Sequence, residues 1–188
     1  MKKIVLATKN KGKLKEFKKI LTGVEIISME EAGVIGDIEE TGKTFLENAK
    51  IKAETVMLKT GMPALSDDSG LCVYALNGAP GVYSARYSEE GTDKANRELL
   101  LKNMEGITDR RAKFVCTLYY VEPDGKSVSV SGETEGCILE KEDGENGFGY
   151  DPIFFSNDLK KSMGRAKPEE KNKVSHRARA IEKIKNLL

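Results

Sequence analysis

The stretch from Lys2 to Ser28 constrains the fold more than any other part of the chain. Lys2 to Thr8 is a short apolar run rich in β-branched residues, which reads as a buried strand. Asn10, Lys11 and Gly12 break it. From Lys13 to Leu21, Leu14, Phe17, Ile20 and Leu21 fall on one helical face, and Gly23 stops the helix. Val24 to Ser28 reads as a second strand. Strand, loop, helix and strand in that order make a crossover, and a crossover places the two strands parallel.

Downstream the pattern changes. Glu30 to Gly42 is polar and glycine-containing, a loop long enough to carry function. Thr44 and Glu47 fit a capping box, Phe45, Ala49, Ala53, Val56 and Met57 form an apolar stripe, and Gly61 closes that helix. Pro63 to Ser66, the DDSG segment and Leu71 to Leu76 read as strand, turn and strand, with NGAPG as a further turn. Thr92 to Met104 reads as a helix. Arg111 to Val121 and Ser127 to Leu139 read as two long strands joined through EPDG, an antiparallel hairpin. A glycine-rich loop, Gly144 to Asp151, precedes a short strand at Ile153 to Phe155. The basic C-terminal third is helical, with Ile181, Ile184 and Leu188 on its apolar face. The expected class is mixed α/β, a parallel start with an antiparallel excursion, and residues 1–188 read as a single domain.

Composition excludes several function classes. There are 31 basic and 30 acidic residues, so no global field favours a nucleic-acid polymer as partner. Cys72, Cys116 and Cys137 are scattered and contain no CxxC, which argues against a zinc cluster or a disulfide framework and for reduced thiols in the cytoplasm. The apolar run Ile4 to Ala7 is too short for a signal segment, and no stretch is long enough to span a bilayer.

Five segments can carry chemistry. Thr8 to Lys13, TKNKGK, lies between the first strand and helix, where backbone N–H groups and Lys13 suit a phosphate; the same residues also suit a solvated loop. Glu40 lies outside its helix, whereas Glu47 is explained by capping. Asp67 and Asp68 are adjacent like charges that need water or cations. Consecutive residues of an extended chain point opposite ways, so only one of the two can face a cleft. Hard oxygen donors without nearby His or Cys favour magnesium shared with substrate phosphates, and an Asx turn is the equal alternative. Phe148, between Gly147 and Gly149, presents a ring that can stack on a base, with Asp151 able to accept from ring N–H groups; the alternative is a core aromatic, as Tyr150 and Phe154 suggest. His176, the single histidine, stands between Ser175 and Arg177 at a helix start, a row of donors for phosphate or exocyclic oxygens.

T-x-N-x-G-K, ETGKTFLENA, DDSGL, GAPGVYSARY, GFGYDPIF and PEEKNKVSHR follow one another along nearly the whole chain. In this register the sequence closely resembles the ITPase/XTPase family, house-cleaning pyrophosphatases that remove deaminated purine nucleoside triphosphates. The resemblance implies an α/β fold with a long twisted mixed β-sheet, flanking helices and two lobes around a central substrate cleft, in a homodimer. It implies magnesium-dependent conversion of ITP, dITP or XTP to the monophosphate and pyrophosphate. Carried over, Thr8, Asn10 and Lys13 contact the triphosphate, Glu40 and Asp68 hold the metal, and Asp68 is the general base. Ser69 touches substrate. Phe148 stacks on the purine in a loop completed by Gly149, Tyr150 and Asp151. Lys171 binds phosphate or holds the base pocket, and His176 and Arg177 read the 6-keto oxygen.

Two places depart from the family pattern. Tyr74 stands where relatives often carry an acid. Met163 to Lys167 replaces an F-A-E-[LM]-[ST]-like run, so Lys167 takes the place of a capping hydroxyl and a looser segment is expected there.

Overall fold

A computed structural model describes residues 1–188. Strand β1 (Lys2–Leu6), helix α1 (Lys11–Ile20) and strand β2 (Val24–Ser28) form the expected crossover, with β1 and β2 parallel and Ile4 opposite Ile26. Helix α1 starts earlier than its apolar pattern. Asn10 is the N-cap, its Oδ1 accepting from the Lys13 N–H at 3.0 Å, so Lys11 and Gly12 belong to the first turn and not to a break. Helix α2 (Phe45–Thr60) carries the Thr44–Glu47 capping box and ends at Gly61.

Strand β3 (Ala64–Val73) corrects the sequence reading. The acid pair lies in no turn: Asp67 and Asp68 sit in the middle of one ten-residue strand. Aspartate disfavours strands because its charge and short side chain suit turns better. Cations reaching the strand from helices on both sides remove that objection, as described below. The strand pairs in parallel with β1, Val5 opposite Ala64.

Helix α3 (Asp93–Asn103) is capped by Thr92. Strands β4 (Arg111–Val121) and β5 (Ser127–Ile138) are neighbours joined by the tight turn at Glu122–Lys126, which makes them an antiparallel hairpin. Strand β6 (Phe154–Ser156) pairs antiparallel with β5 and with the short β7 (Lys161–Ser162), a strand too brief to show in the sequence. Helices α4 (Pro168–Val174) and α5 (His176–Lys185) complete the chain. One mixed sheet results, in the order β2-β1-β3-β4-β5-β6-β7, with flanking helices. Tyr74–Leu76, expected as strand, is a 3₁₀ turn, and its Tyr74 hydroxyl donates to Glu135 at 2.9 Å.

The chain divides into two compact units. The first comprises Met1–Asp68, Cys116–Gly132 and Ala178–Leu188. Its core lies on both faces of the strands. Ile4, Leu6 and Leu65 pack with Phe17 of α1 and Ile181 and Ile184 of α5. Val5, Ala7 and Ala64 pack with Ala53 and Val56 of α2. Each fully buried large apolar side chain contributes about 2 kcal/mol. The second unit, Ser69–Val115 and Glu133–Arg177, has its own core around Leu71, Leu100, Phe114, Tyr150 and Phe154.

Met163 to Lys167 is not the loose segment expected. Met163 and Ala166 are buried, and Ser162 Oγ accepts from the Arg165 N–H at 3.1 Å. An ammonium has no lone pair, so Lys167 cannot cap α4. Glu170 instead accepts from the Lys167 N–H at 2.8 Å and pairs with Lys161 at 2.7 Å.

Candidate functional site

In the first unit, strand alternation decides where the two acids go. Leu65 belongs to the core layer containing α1, and Ala64 to the layer containing α2. Two residues on, Asp67 falls on the α1 side and pairs with Lys13 at 2.9 Å. Ser66 and Asp68 fall on the α2 side. The Ser66 hydroxyl donates to the Ala49 carbonyl. Asp68 lies 3.6 Å from the Lys52 ammonium, which also pairs with Glu40 at 2.5 Å. Lys52 therefore stands between the two carboxylates proposed from sequence as a metal pair.

The loop carrying Glu40 is held by α2. Asn48, fully buried, accepts from the Gly42 N–H through Oδ1 at 2.8 Å, and Glu47 accepts from the Lys43 N–H at 2.6 Å. A side chain added at Gly42 would strike Glu47 and Asn48, so the ETG turn lies directly on the helix start.

The charges set one another. Asp67 is 0% exposed and Asp68 6%. Burial pushes the Asp68 carboxyl up to about 6, and Glu40 adds to the rise, while Lys52, Lys13 and the Asn48 amide oppose it. Burial works to lower Lys52, yet Asp67, Asp68 and Glu40 outweigh it and hold the ammonium above its ordinary value. The result is a permanent cation beside a carboxyl poised to take or release a proton near neutrality.

Thr8, Asn10 and Lys13 meet at the start of α1. The Thr8 hydroxyl accepts from the Asn10 N–H at 3.2 Å. Asn10 spends its oxygen on the cap and Lys13 its ammonium on Asp67. What this corner offers an anion is a helix N-terminus together with a lysine already drawn toward a carboxylate.

In the second unit a different cluster forms around Phe148. The Lys171 ammonium stands 4.3 Å above the ring centroid and the Arg177 guanidinium 5.8 Å. Asp151 Oδ2 accepts from Lys171 at 2.7 Å and from the Phe148 N–H at 2.9 Å, fixing ring and cation to one buried carboxylate. Arg177, 1% exposed, donates through Nη2 to Ser69 Oγ at 3.1 Å. His176 stacks on Phe114 with centroids 4.9 Å apart. Thr134 Oγ1 donates to the Val174 carbonyl at 2.5 Å, tying the end of α4 to β5 just before His176. Tyr150 faces the core, where its hydroxyl donates to the Ser84 carbonyl at 2.6 Å.

The sequence-derived residues therefore fall into two sets. Lys13, Glu40 and Asp68 gather in the first unit, and Ser69, Phe148, Asp151, Lys171 and Arg177 in the second. Asp68 and Ser69 are consecutive on β3, so one peptide bond links the sets. Lys52 was missed by sequence reasoning. Its signal was a lysine four residues after Asn48, beside the apolar stripe that buries α2, where a charge needs a partner.

Comparison with known proteins agrees along the whole chain. The model of the Ham1 family matches residues 4–187. A dITP/XTP pyrophosphatase of Bacillus licheniformis is 49% identical, with 100% of this chain and 98% of that protein covered. A dITP/XTP pyrophosphatase of Geobacter sulfurreducens is 47% identical, covering 100% and 97%. The solved Ham1 protein of Staphylococcus aureus matches with a TM-score of 0.90 at 44% identity, over 99% of this chain and 97% of that one. A HAM1 protein from Coxiella burnetii matches with a TM-score of 0.91 at 41% identity, over 100% and 98%.

Proposed function

The chain belongs to the Ham1 family, and from that premise we propose that it hydrolyses non-standard purine nucleoside triphosphates, ITP, dITP and XTP, clearing deaminated purines from the nucleotide pool. Water adds across the α–β phosphoanhydride, the bridging P–O bond breaks, and the products are the nucleoside monophosphate and pyrophosphate. Residues 1–188 act as one pyrophosphatase unit, in the homodimer that the resemblance implies and in the cytoplasm that the scattered thiols suggest.

The observation that carries this reading is the Glu40–Lys52–Asp68 cluster. A triphosphate brings about four negative charges, and water cannot approach phosphorus until they are offset. Lys52 stays charged between Glu40 and Asp68. Asp68, with its carboxyl raised to about 6, is ionised at neutral pH yet basic enough to take a proton from water. Lys13 and the start of α1, capped by Asn10 beside Thr8, face the phosphates.

The donor set at Glu40 and Asp68 fits magnesium. Both donors are hard carboxylate oxygens, the kind that would hold magnesium beside substrate phosphates. When bound, the ion supplies further neutralisation of the phosphate charge. Glu40 and Asp68 would hold it, and Lys52, placed between them, offsets the repulsion by which Glu40 raises the Asp68 carboxyl.

The second set reads the base. Phe148 stacks on the purine, and Lys171 and Asp151 fix the ring. Gly149 and Tyr150 complete the loop, and Ser69, whose Oγ accepts from Arg177, touches substrate. His176 and Arg177 donate to the 6-keto oxygen. Adenine places an amino donor there, so ATP would leave buried donors facing a donor, the kind of mismatch that produces large discrimination.

Asp68→Asn tests the proposal. The change is nearly isosteric and removes the base. Turnover of ITP should fall by at least about a hundredfold with the fold intact by circular dichroism. Pyrophosphate release near the wild-type rate would remove Asp68 from the chemistry.

A further inference from the structure

Helix α3 grips the loop that carries Phe148, and it does so on both sides of one residue. The Gly149 N–H donates to Asp93 Oδ2 at 2.9 Å, and the Gly149 carbonyl accepts from Arg97 Nη1 at 2.9 Å. Asp93 and Arg97 are four residues apart and so share a helix face. Arg97 is itself anchored, since its Nε donates to Glu142 Oε1 at 2.7 Å and its side chain is only 14% exposed. Asn96, in the same helix, donates to the Ser84 and Ala85 carbonyls, and Ser84 is where the Tyr150 hydroxyl docks. Gly149 and Tyr150 are therefore both referred to α3.

We propose that Asp93 and Arg97 are positioning residues for base recognition, acting through Gly149 to aim the Phe148 ring. The inference rests on the reading of Phe148 as the base-stacking ring. Gly147 and Gly149 both have positive φ, 78° and 61°, so the loop on either side of Phe148 has no side chain of its own to pack it down. The Phe148 N–H is fixed by Asp151. The Phe148 carbonyl accepts from the Asp151 N–H at 3.2 Å, and the next residue, Gly149, is fixed by the α3 pair. Without that pair the turn rests on the two Asp151 hydrogen bonds alone, and the freed Gly149 backbone widens the range of directions open to the ring.

The experiment combines kinetics with a probe of the ring itself. Asp93→Ala and Arg97→Ala should each raise KM for ITP roughly three- to tenfold, with kcat within about twofold, as expected for loss of one or two hydrogen bonds that serve binding. Asp93→Asn, which keeps an acceptor, and Arg97→Lys, which keeps a donor, should recover most of the loss. In a Phe148→Ala background the alanine substitutions should change KM by less than about twofold, because the group they aim is gone. Equal KM effects in both backgrounds, or a loss confined to kcat, would overturn the proposal. The chain contains no tryptophan, so Phe148→Trp places a single indole at the ring position. Its fluorescence anisotropy should fall when Arg97→Ala is added, and an unchanged anisotropy would overturn the positioning role whatever KM does. If the anisotropy falls but ITP leaves the indole emission unaltered, positioning stands and the stacking role of Phe148 fails instead.

Discussion

The Lys13 ammonium lies 2.9 Å from a carboxylate of Asp67 that has no exposed surface. The pair is asymmetric, because Lys13 keeps 17% of its side chain in water and Asp67 keeps none. Removing the lysine takes the close cation from a charge held in the dry interior and leaves it the weaker field of Lys52. Removing the acid frees a lysine that can reach solvent. Lys13→Met should therefore cost about 3 kcal/mol of stability, and Asp67→Asn only on the order of 1 kcal/mol. Urea unfolding of the two variants measures both. Equal losses would show that the lysine is as poorly hydrated as the acid.

Asp68 should make stability depend on pH. Its folded carboxyl is raised to about 6 from an ordinary value of 3.8, mainly by burial. A raised value means that the folded state holds the proton more tightly than the unfolded chain does. The associated stability is complete below about pH 4 and is lost as pH rises through 6. Asp68→Asn stays neutral throughout and escapes the loss. Without added metal, the variant should match the wild type near pH 4 and exceed it by on the order of 2–3 kcal/mol at pH 7, since each tenfold change in proton affinity is about 1.4 kcal/mol. Parallel stability profiles would rule out a raised Asp68.

How much of this could be read from the sequence depended on how local each signal was. The start and end of α2 were legible because Thr44, Glu47 and Gly61 act on their own backbone neighbours. The β1–α1–β2 crossover was legible because one apolar face and one glycine delimit α1. The setting of Asp67 and Asp68 was not. Two adjacent acids spell a turn unless something distant neutralises them, and the neutralising groups are Lys13 on α1 and Lys52 on α2. The opposite directions of the two acids were legible from extended-chain geometry, whereas the strand that holds them and their partners were hidden. Phe148 advertised itself through its flanking glycines. Asp93 and Arg97, which hold that loop from another helix, left no mark at the loop.

Arg177 should control the choice between keto and amino purines. Its guanidinium is buried, bonded to Ser69 Oγ and placed over Phe148. Arg177→Gln keeps a shorter amide donor while removing the fixed charge and fork. The ratio of kcat/KM for ITP over ATP should fall by about tenfold or more, chiefly through loss on ITP. An unchanged ratio with both substrates equally impaired would assign Arg177 to packing alone.

The two glycines beside Phe148 should respond differently to the same substitution. Both have positive φ, so alanine at either costs about 1–2 kcal/mol of backbone strain. At Gly149 the new methyl would meet open space, and strain is the whole cost. At Gly147 it would be driven into the Asp151 carboxylate, whose Oδ2 holds both the Phe148 N–H and the Lys171 ammonium. Something there must shift, and the carboxylate cannot move without releasing the ring or the cation. Gly149→Ala should therefore lower thermal stability with KM for ITP within about threefold, whereas Gly147→Ala should raise KM by about tenfold or more. Steady-state kinetics beside thermal melts of the two variants decides it. Matching KM values would mean that Asp151 can give way without carrying Phe148 and Lys171 along.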